Sequence, residues 1–277
     1  NQGESAGKPQ EAYPQSLPVI MVSALTGQGM DQLKECLAGL GKRQESGRRI
    51  VGDLLEPLDF AVLVVPIDKA APKGRLILPQ QQTIRDILEA GAVSIVLKED
   101  GLAKALPALG KKPRIVITDS QVFGFVAKDT PEDILLTSFS ILFARYKGNL
   151  GPLVKGAAAL KHIGAGDKIL ISEGCTHHRQ CNDIGTVKLP GWIRQYTGVE
   201  PEFHFTSGTG FPDDLSGYSL IVHCGGCMLN EREMKYRMEC AEDQGIPMTN
   251  YGILIAYTQG ILKRSLEPFP EIASLLG

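Results

Sequence analysis

The sequence predicts an α/β fold: two consecutive βαβ-type domains with parallel sheets, preceded by a short strand–helix piece. Three observations carry this. Short, continuously apolar runs such as Phe60–Ile67 (FAVLVVPI), Val93–Leu97 (VSIVL) and Leu220–His223 (LIVH) suit strands covered on both faces. Between them lie stretches with apolar residues at helical spacing. The connections are short, which favours right-handed strand–helix–strand crossovers.

Taken in order, residues 1–17 are polar and rich in Gly and Pro and predict a loop. Pro18–Ser23 (PVIMVS) reads as a buried strand, Gly27 and Gly29 as a turn, and Met30–Leu40 as a helix with Met30, Leu33, Leu37 and Leu40 on one face. Residues 41–56 carry basic side chains and little apolar periodicity, as a linker does. The second block alternates strand Phe60–Ile67, helix Gln80–Ala90, strand Val93–Leu97, helix Leu102–Leu109 and strand Arg114–Thr118. In the third, helices are expected over Ile134–Tyr146 and Pro152–Ile163, then a strand Lys168–Ser172 ending at Gly174-Cys175. A helix over 183–198, irregular at Pro190-Gly191, precedes the strand Leu220–His223. Helix Asn230–Asp243, a strand-like Gly252–Ala256 and a final helix complete the chain. No internal repeat is visible. The expected division is 1–42, 43–130 and 131–277.

Composition narrows the function. The chain has 277 residues, 43% of them apolar, and Lys plus Arg (29) nearly balances Asp plus Glu (31) for a net charge of −2. That leaves no basic surface for nucleic acid and no acidic-membrane footprint. No apolar run approaches the ~18 residues that span a bilayer. With neither an initiator Met nor a secretory apolar region, the chain reads as cytoplasmic and as a piece of something longer.

Cysteine placement is the chemical signal. Of Cys36, Cys175, Cys181, Cys224, Cys227 and Cys240, four fall between 175 and 227 with histidines among them, which in a cytosolic chain favours metal over disulfides. Cys175-x-His177 follows one expected strand directly, and His223-Cys224-x-x-Cys227 follows another. Loops beyond the carboxyl ends of parallel strands form the crevice of open α/β sheets, so the two motifs can converge. Gly225-Gly226 allows the C-x-x-C loop to wrap tightly, and a helix starting near Leu229 would turn its positive end toward an anionic site. Three thiolates with a weaker fourth donor suit a [4Fe–4S] cluster; zinc uses the same ligand types. His177 and His223 are candidate ligands or orienting groups. His178, Cys181 and Asp183 are weaker candidates, Asp183 equally suiting a helix N-cap. Cys36 and Cys240 occupy helical positions and read as ordinary buried or half-buried residues, His162 and His204 as structural or solvated ones.

These motifs, with Leu136–Lys147 (LTSFSILFARYK), Gly174–His178 (GCTHH) and Asp183–Pro190 (DIGTVKLP), resemble the HydF family, scaffold GTPases that mature [FeFe]-hydrogenase. The resemblance implies a Ras-like GTPase domain, of which the first 42 residues are a remnant, then a dimerisation domain and an iron–sulfur domain. It implies a [4Fe–4S] cluster on Cys175, Cys224 and Cys227. The fourth corner is exchangeable and its ligand left open among His177, His223, Cys181, Asp183 and solvent. As cargo it implies a di-iron precursor bearing CO and cyanide. The implied partners are a second copy or higher oligomer, two radical-SAM maturases and apo-hydrogenase. Ser23 and Ala24, with Gly27 and Gly29, are similar to the last guanine-contacting loop of such GTPases. No Gly-x-x-x-x-Gly-Lys-Ser/Thr and no Asn-Lys-x-Asp is present, so GTP and Mg belong to a full-length protein and no hydrolysis is expected here. Two other functions compete: an iron–sulfur (de)hydratase-type enzyme with an open iron, and a zinc-stabilised interaction domain.

Overall fold

The computed structural model describes residues 19–23, 25–40, 48–67, 76–147, 150–174, 183–226 and 229–276. The chain divides into two units between Arg48 and Arg49.

In the first unit a tight turn leads into helix α1 (Met30–Leu40). Ser23 builds the turn. Its N–H donates to the Gln28 carbonyl at 3.0 Å, its carbonyl accepts from Gly27 N–H at 2.9 Å, and its hydroxyl accepts from Thr26 N–H at 3.2 Å. The strand expected over Pro18–Ser23 is corrected: Val19–Ser23 is irregular, with Val19 and Met21 78% and 87% exposed. An apolar run becomes a strand only where a neighbour takes its backbone groups, and the described residues of this unit supply none.

The second unit builds two four-stranded sheets. The first contains β1 (Phe60–Val64), β2 (Val93–Leu97), β3 (Ile115–Thr118) and β4 (Leu135–Ser138), linked through α2 (Leu78–Glu89), α3 (Leu102–Ala108) and α4 (Phe123–Asp129). Its order is β2-β1-β3-β4, all parallel. Helices α5 (Phe139–Tyr146) and α6 (Leu150–Ala158) lead to β5 (Lys168–Glu173), β6 (Glu202–Ser207), β7 (Leu220–His223) and β8 (Met248–Asn250). A π-turn at Ile184–Lys188 and α7 (Leu189–Thr197) connect β5 to β6, and α8 (Glu231–Asp243) connects β7 to β8. This sheet has the order β6-β5-β7-β8, again parallel. The same topology therefore occurs twice in one chain. Helices α9 (Tyr251–Thr258), α10 (Leu262–Ser265) and α11 (Pro270–Ala273) follow. Among the described residues no helix is long and apolar enough to cross a membrane.

Strand alternation explains the layers. Ala61, Leu63, Ile115 and Ile117 on one face of the first sheet share a core with Leu170 and Ile221 of the second, through Phe139, Leu142, Leu153, Val154 and Ile253. The opposite faces have their own cores, with Val62, Val64 and Val116 packing on Phe123 and Val126, and Ile169, Ile171 and Val222 on Leu189 and Ile193. The inner strands β1, β3, β5 and β7 are covered on both faces, which is why they lack polar alternation.

Matching helices of the two halves meet at this shared core. Ser138 caps α5 through Ile141 N–H, and Asn250 caps α9 through Ile253 N–H. Two residues beyond each cap, Ser140 faces Gly252, where a Cβ would strike the Ser140 side chain and lie 2.6 Å from Ser120 Oγ. Only Gly permits that approach.

Three expectations change. The helix over Ile134–Tyr146 begins at Phe139, because Leu135–Ser138 pairs with β3. The first sheet consequently extends past residue 130, the expected division. Gly252–Ala256 is helical: it is buried on every side, so its apolar run carries no 3.6-residue period. In the first sheet β1 lies between β2 and β3, with β2 at the edge beside it.

Candidate metal centre at the carboxyl ends of the second sheet

In the second sheet the chain steps from β5 outward to β6 and then back to β7, so the strand order reverses between β5 and β7. Open α/β sheets bind ligands at the carboxyl ends of such strands. Here β5 ends at Glu173-Gly174 and β7 at His223-Cys224, with Ser172 and His223 in register and Cys224 N–H donating to the Ser172 carbonyl at 2.9 Å.

The Cys224 sulfur is the focus. Gly174 N–H donates to it at 3.1 Å and Gly226 N–H at 3.4 Å. Hydrogen bonds to sulfur favour the thiolate, the form that binds metal. The loop is shaped for this, since Gly226 sits at φ +58° and a Cβ there would lie 2.5 Å from Met234 Sδ. While the amides turn to sulfur, the carbonyls turn to a cation. Lys147 Nζ, at the end of α5, donates to Gly226 O at 2.7 Å and Gly225 O at 3.3 Å. A narrow cavity is lined by Lys147, His223, Cys224, Gly225, Met234 and Asn250, among others.

His223 is fully buried, and both ring nitrogens are engaged. Nε2 lies 3.0 Å from Arg237 Nη1, which can only donate, so Nε2 accepts; Nδ1 then carries the hydrogen and donates to the Cys224 carbonyl at 2.7 Å. In this arrangement both nitrogens of His223 are taken by protein partners, as an orienting group's would be. Burial foremost, and the nearby Arg237 and Lys147 charges, push its pKa down to about 4. Arg237, 1% exposed, also donates to Glu233 Oε1 at 2.7 Å and Gly208 O at 2.8 Å, and stacks over Phe211. It is a buried charge with a partner on every side.

On the β5 side, Tyr251 donates to buried Glu173 Oε1 at 3.2 Å, and burial, Glu173 and Cys224 hold its phenol protonated far above the ordinary range. Asp183 acts as an N-cap, Oδ2 accepting from Gly185 and Thr186 N–H, each at 3.0 Å. Helix α8 is capped by Asn230 and carries Glu231 and Glu233 in its first turn. Those carboxylates offset the positive end expected to face the site.

Of the expected ligand set, Cys224 and His223 are adjacent at this point. Cys175, His177 and Cys227 lie outside the described residues, as do His178, Cys181 and, in the first unit, Ala24. Among the described residues no group of three His, Cys, Asp or Glu side chains is arranged to hold a metal ion. Cys36 and Cys240 are half-buried as expected, and His204 is held by Tyr218 and Glu202 at 3.0 and 2.7 Å.

Sequence reasoning missed Lys147, Glu173, Tyr251 and Arg237 as site neighbours. Only Arg237 left a signal, sharing the i, i+3, i+4, i+7 stripe of Met234, Met238 and Ala241 where an apolar residue is expected.

Comparison with known proteins sets this geometry in context. Three solved structures are similar only at a very low level. Aspartate transcarbamoylase from Trypanosoma cruzi in complex with phosphate has a TM-score of 0.29 and 8% identity, over 84% of this chain and 91% of that one. An NtrC family transcriptional regulator from Clostridium acetobutylicum has 0.23 and 12%, over 79% and 100%. A 5,10-methylenetetrahydrofolate dehydrogenase from the silkworm Bombyx mori has 0.24 and 9%, over 88% and 94%. No curated protein matches. Family models do match: the hydrogen maturase F dimerization domain over residues 50–148, the first sheet with α5, and the hydrogen maturase F tetramerization domain over 152–268, the second sheet. Together they cover most of the chain, which therefore belongs to the HydF family of hydrogenase maturation proteins.

Proposed function

We propose that this chain is a scaffold that carries a [4Fe–4S] cluster on Cys175, Cys224 and Cys227 with one corner exchangeable. On this reading it accepts a di-iron precursor bearing CO and cyanide from radical-SAM maturases and delivers it to apo-[FeFe]-hydrogenase. The observation that carries the reading is the double amide contact on Cys224. Gly174 and Gly226, which donate to that sulfur at 3.1 and 3.4 Å, are the residues immediately before Cys175 and Cys227 in the chain. The donor chemistry fits the cluster, since thiolates are its usual ligands and hydrogen bonds to sulfur tune it.

When bound, such a cluster supplies an iron whose fourth position can take and release a donor atom of the cargo. The chain's own residues do the rest. Gly174 and Gly226 amides hold the Cys224 sulfur as thiolate. His223 fixes the Cys224 carbonyl, held in one tautomer by Arg237, and so serves to orient the loop. Lys147 and Arg237 bring positive charge to a site that becomes anionic on loading. A scaffold must let go, so a weak fourth ligand serves transfer better than a fourth thiolate.

The matched domains are named for dimerization and tetramerization, which supports a homodimer or higher oligomer. Anaerobic reconstitution of wild type and Cys224→Ala, followed by iron and sulfide counting and EPR, tests the reading. Wild type should hold about four irons per chain in a cluster type bound by thiolates, and Cys224→Ala should lose most of them. Full retention without Cys224, or a colourless zinc-loaded wild type, overturns it.

A further inference from the structure

We propose that Lys147 is a positioning residue for the cluster loop: its ammonium clamps the Gly225 and Gly226 carbonyls and supplies fixed positive charge, so that the half of the chain carrying the first sheet sets the lability and potential of the cluster held by the second. The inference rests on the cluster reading above. Lys147 stands at the C-cap of α5, within the segment matched by the dimerization model, whereas the loop it grips lies in the segment matched by the tetramerization model. The contact at 2.7 Å to Gly226 O and 3.3 Å to Gly225 O is a charge-assisted hydrogen bond spanning 79 and 78 residues.

Two further observations give the contact consequence. Gly226 is pinned twice: its N–H goes to Cys224 Sγ at 3.4 Å, and its carbonyl accepts from Lys147 and, at 3.1 Å, from Leu229 N–H. Releasing the carbonyl side loosens the peptide that orients the amide on sulfur. In addition, Lys147 and Cys224 line one cavity. A fixed cation this close favours the more negative, reduced state of an adjacent iron–sulfur core. Lys147 follows directly on α5, the helix that makes the Ser140–Gly252 crossing.

The test uses the full chain with Lys147→Gln, which keeps a donor but removes the charge, Lys147→Met, which removes both, and Lys147→Arg, which keeps both. In metal-free protein, hydrogen exchange over residues 224–234 reads the clamp directly. Exchange should rise about tenfold in Lys147→Met, for about 1.4 kcal/mol of lost protection, and stay near wild type in Lys147→Arg. In reconstituted protein, the midpoint potential should move to more negative values in Lys147→Gln and Lys147→Met and be restored in Lys147→Arg. Cluster loss to an iron chelator should quicken in the order arginine, glutamine, methionine. Unchanged exchange in metal-free Lys147→Met overturns the clamp. An unchanged potential in a fully loaded Lys147→Gln overturns the electrostatic role. A wild type that takes up no iron while the exchange effect appears overturns the cluster reading and leaves the clamp standing.

Discussion

Acid should weaken this fold through one buried imidazole. His223 is fully buried as the neutral Nδ1–H tautomer, with its pKa held at about 4 against an ordinary 6.5. Protonation would set an Nε2–H against the Arg237 guanidinium, donor against donor, in a site without water access. The sign follows from proton counts. Between pH 6.5 and 4 the unfolded chain binds a proton at this residue and the folded chain does not, so stability falls as pH falls across that window and is unaffected by this group above it. At roughly 1.4 kcal/mol for each tenfold change in proton affinity, the depression from 6.5 to about 4 corresponds to about 3 kcal/mol. Urea unfolding of the metal-free chain at several pH values between 7 and 4 measures it, with His223→Asn as the reference that lacks the titrating ring. Wild type should lose about 3 kcal/mol more than His223→Asn over the window, despite being the more stable protein at pH 7. Parallel pH profiles for the two proteins would refute the buried neutral imidazole and the tautomer argument built on it.

Two packing claims are open to the same kind of measurement. Arg237→Met removes the donors to His223, Glu233 and Gly208 while filling similar volume; because Glu233 is 38% exposed and can rehydrate, the cost should be about 2–3 kcal/mol, and a loss under about 0.5 kcal/mol contradicts the network. Gly252→Ala should cost about 1–3 kcal/mol by driving a methyl into Ser140. Adding Ser140→Gly should recover part of that cost, and strict additivity of the pair would argue against the crossing of α5 and α9.

Strong local patterns were legible in the sequence and pairing-dependent ones were not. The runs at Val93–Leu97 and Leu220–His223 coincide with β2 and β7, and Met30–Leu40 with α1, because a buried strand or an amphipathic helix writes itself into composition and period. Leu135–Ser138 did not read as a strand because only its partner β3 makes it one. Gly252–Ala256 read as a strand because a helix buried all round has no polar face to reveal its period. Repetition of one sheet order in both halves is invisible at the residue level, since topology constrains which strands neighbour each other and not which apolar residue fills them.

The site divides in the same way. That Cys224 would stand at a strand's carboxyl end beside the end of β5 follows from reading strand, then cysteine, twice. Lys147 was beyond reach, because its partner carbonyls belong to backbone 78 and 79 residues away and backbone leaves no residue-type signature. His223 was legible as a neighbour of the chemistry; its role depended on Arg237, in the second turn of a helix whose apolar stripe it interrupts.

The central claim is that one iron–sulfur core is gathered at the carboxyl ends of β5 and β7. X-ray diffraction from crystals of the anaerobically reconstituted protein, recorded at the iron absorption edge, tests it most directly. The account predicts one compact iron peak per chain, bonded to the Cys224 sulfur and bridging to Cys175 and Cys227. Iron located elsewhere, or a Cys224 sulfur with amide neighbours and no metal in a protein that carries iron, would contradict it.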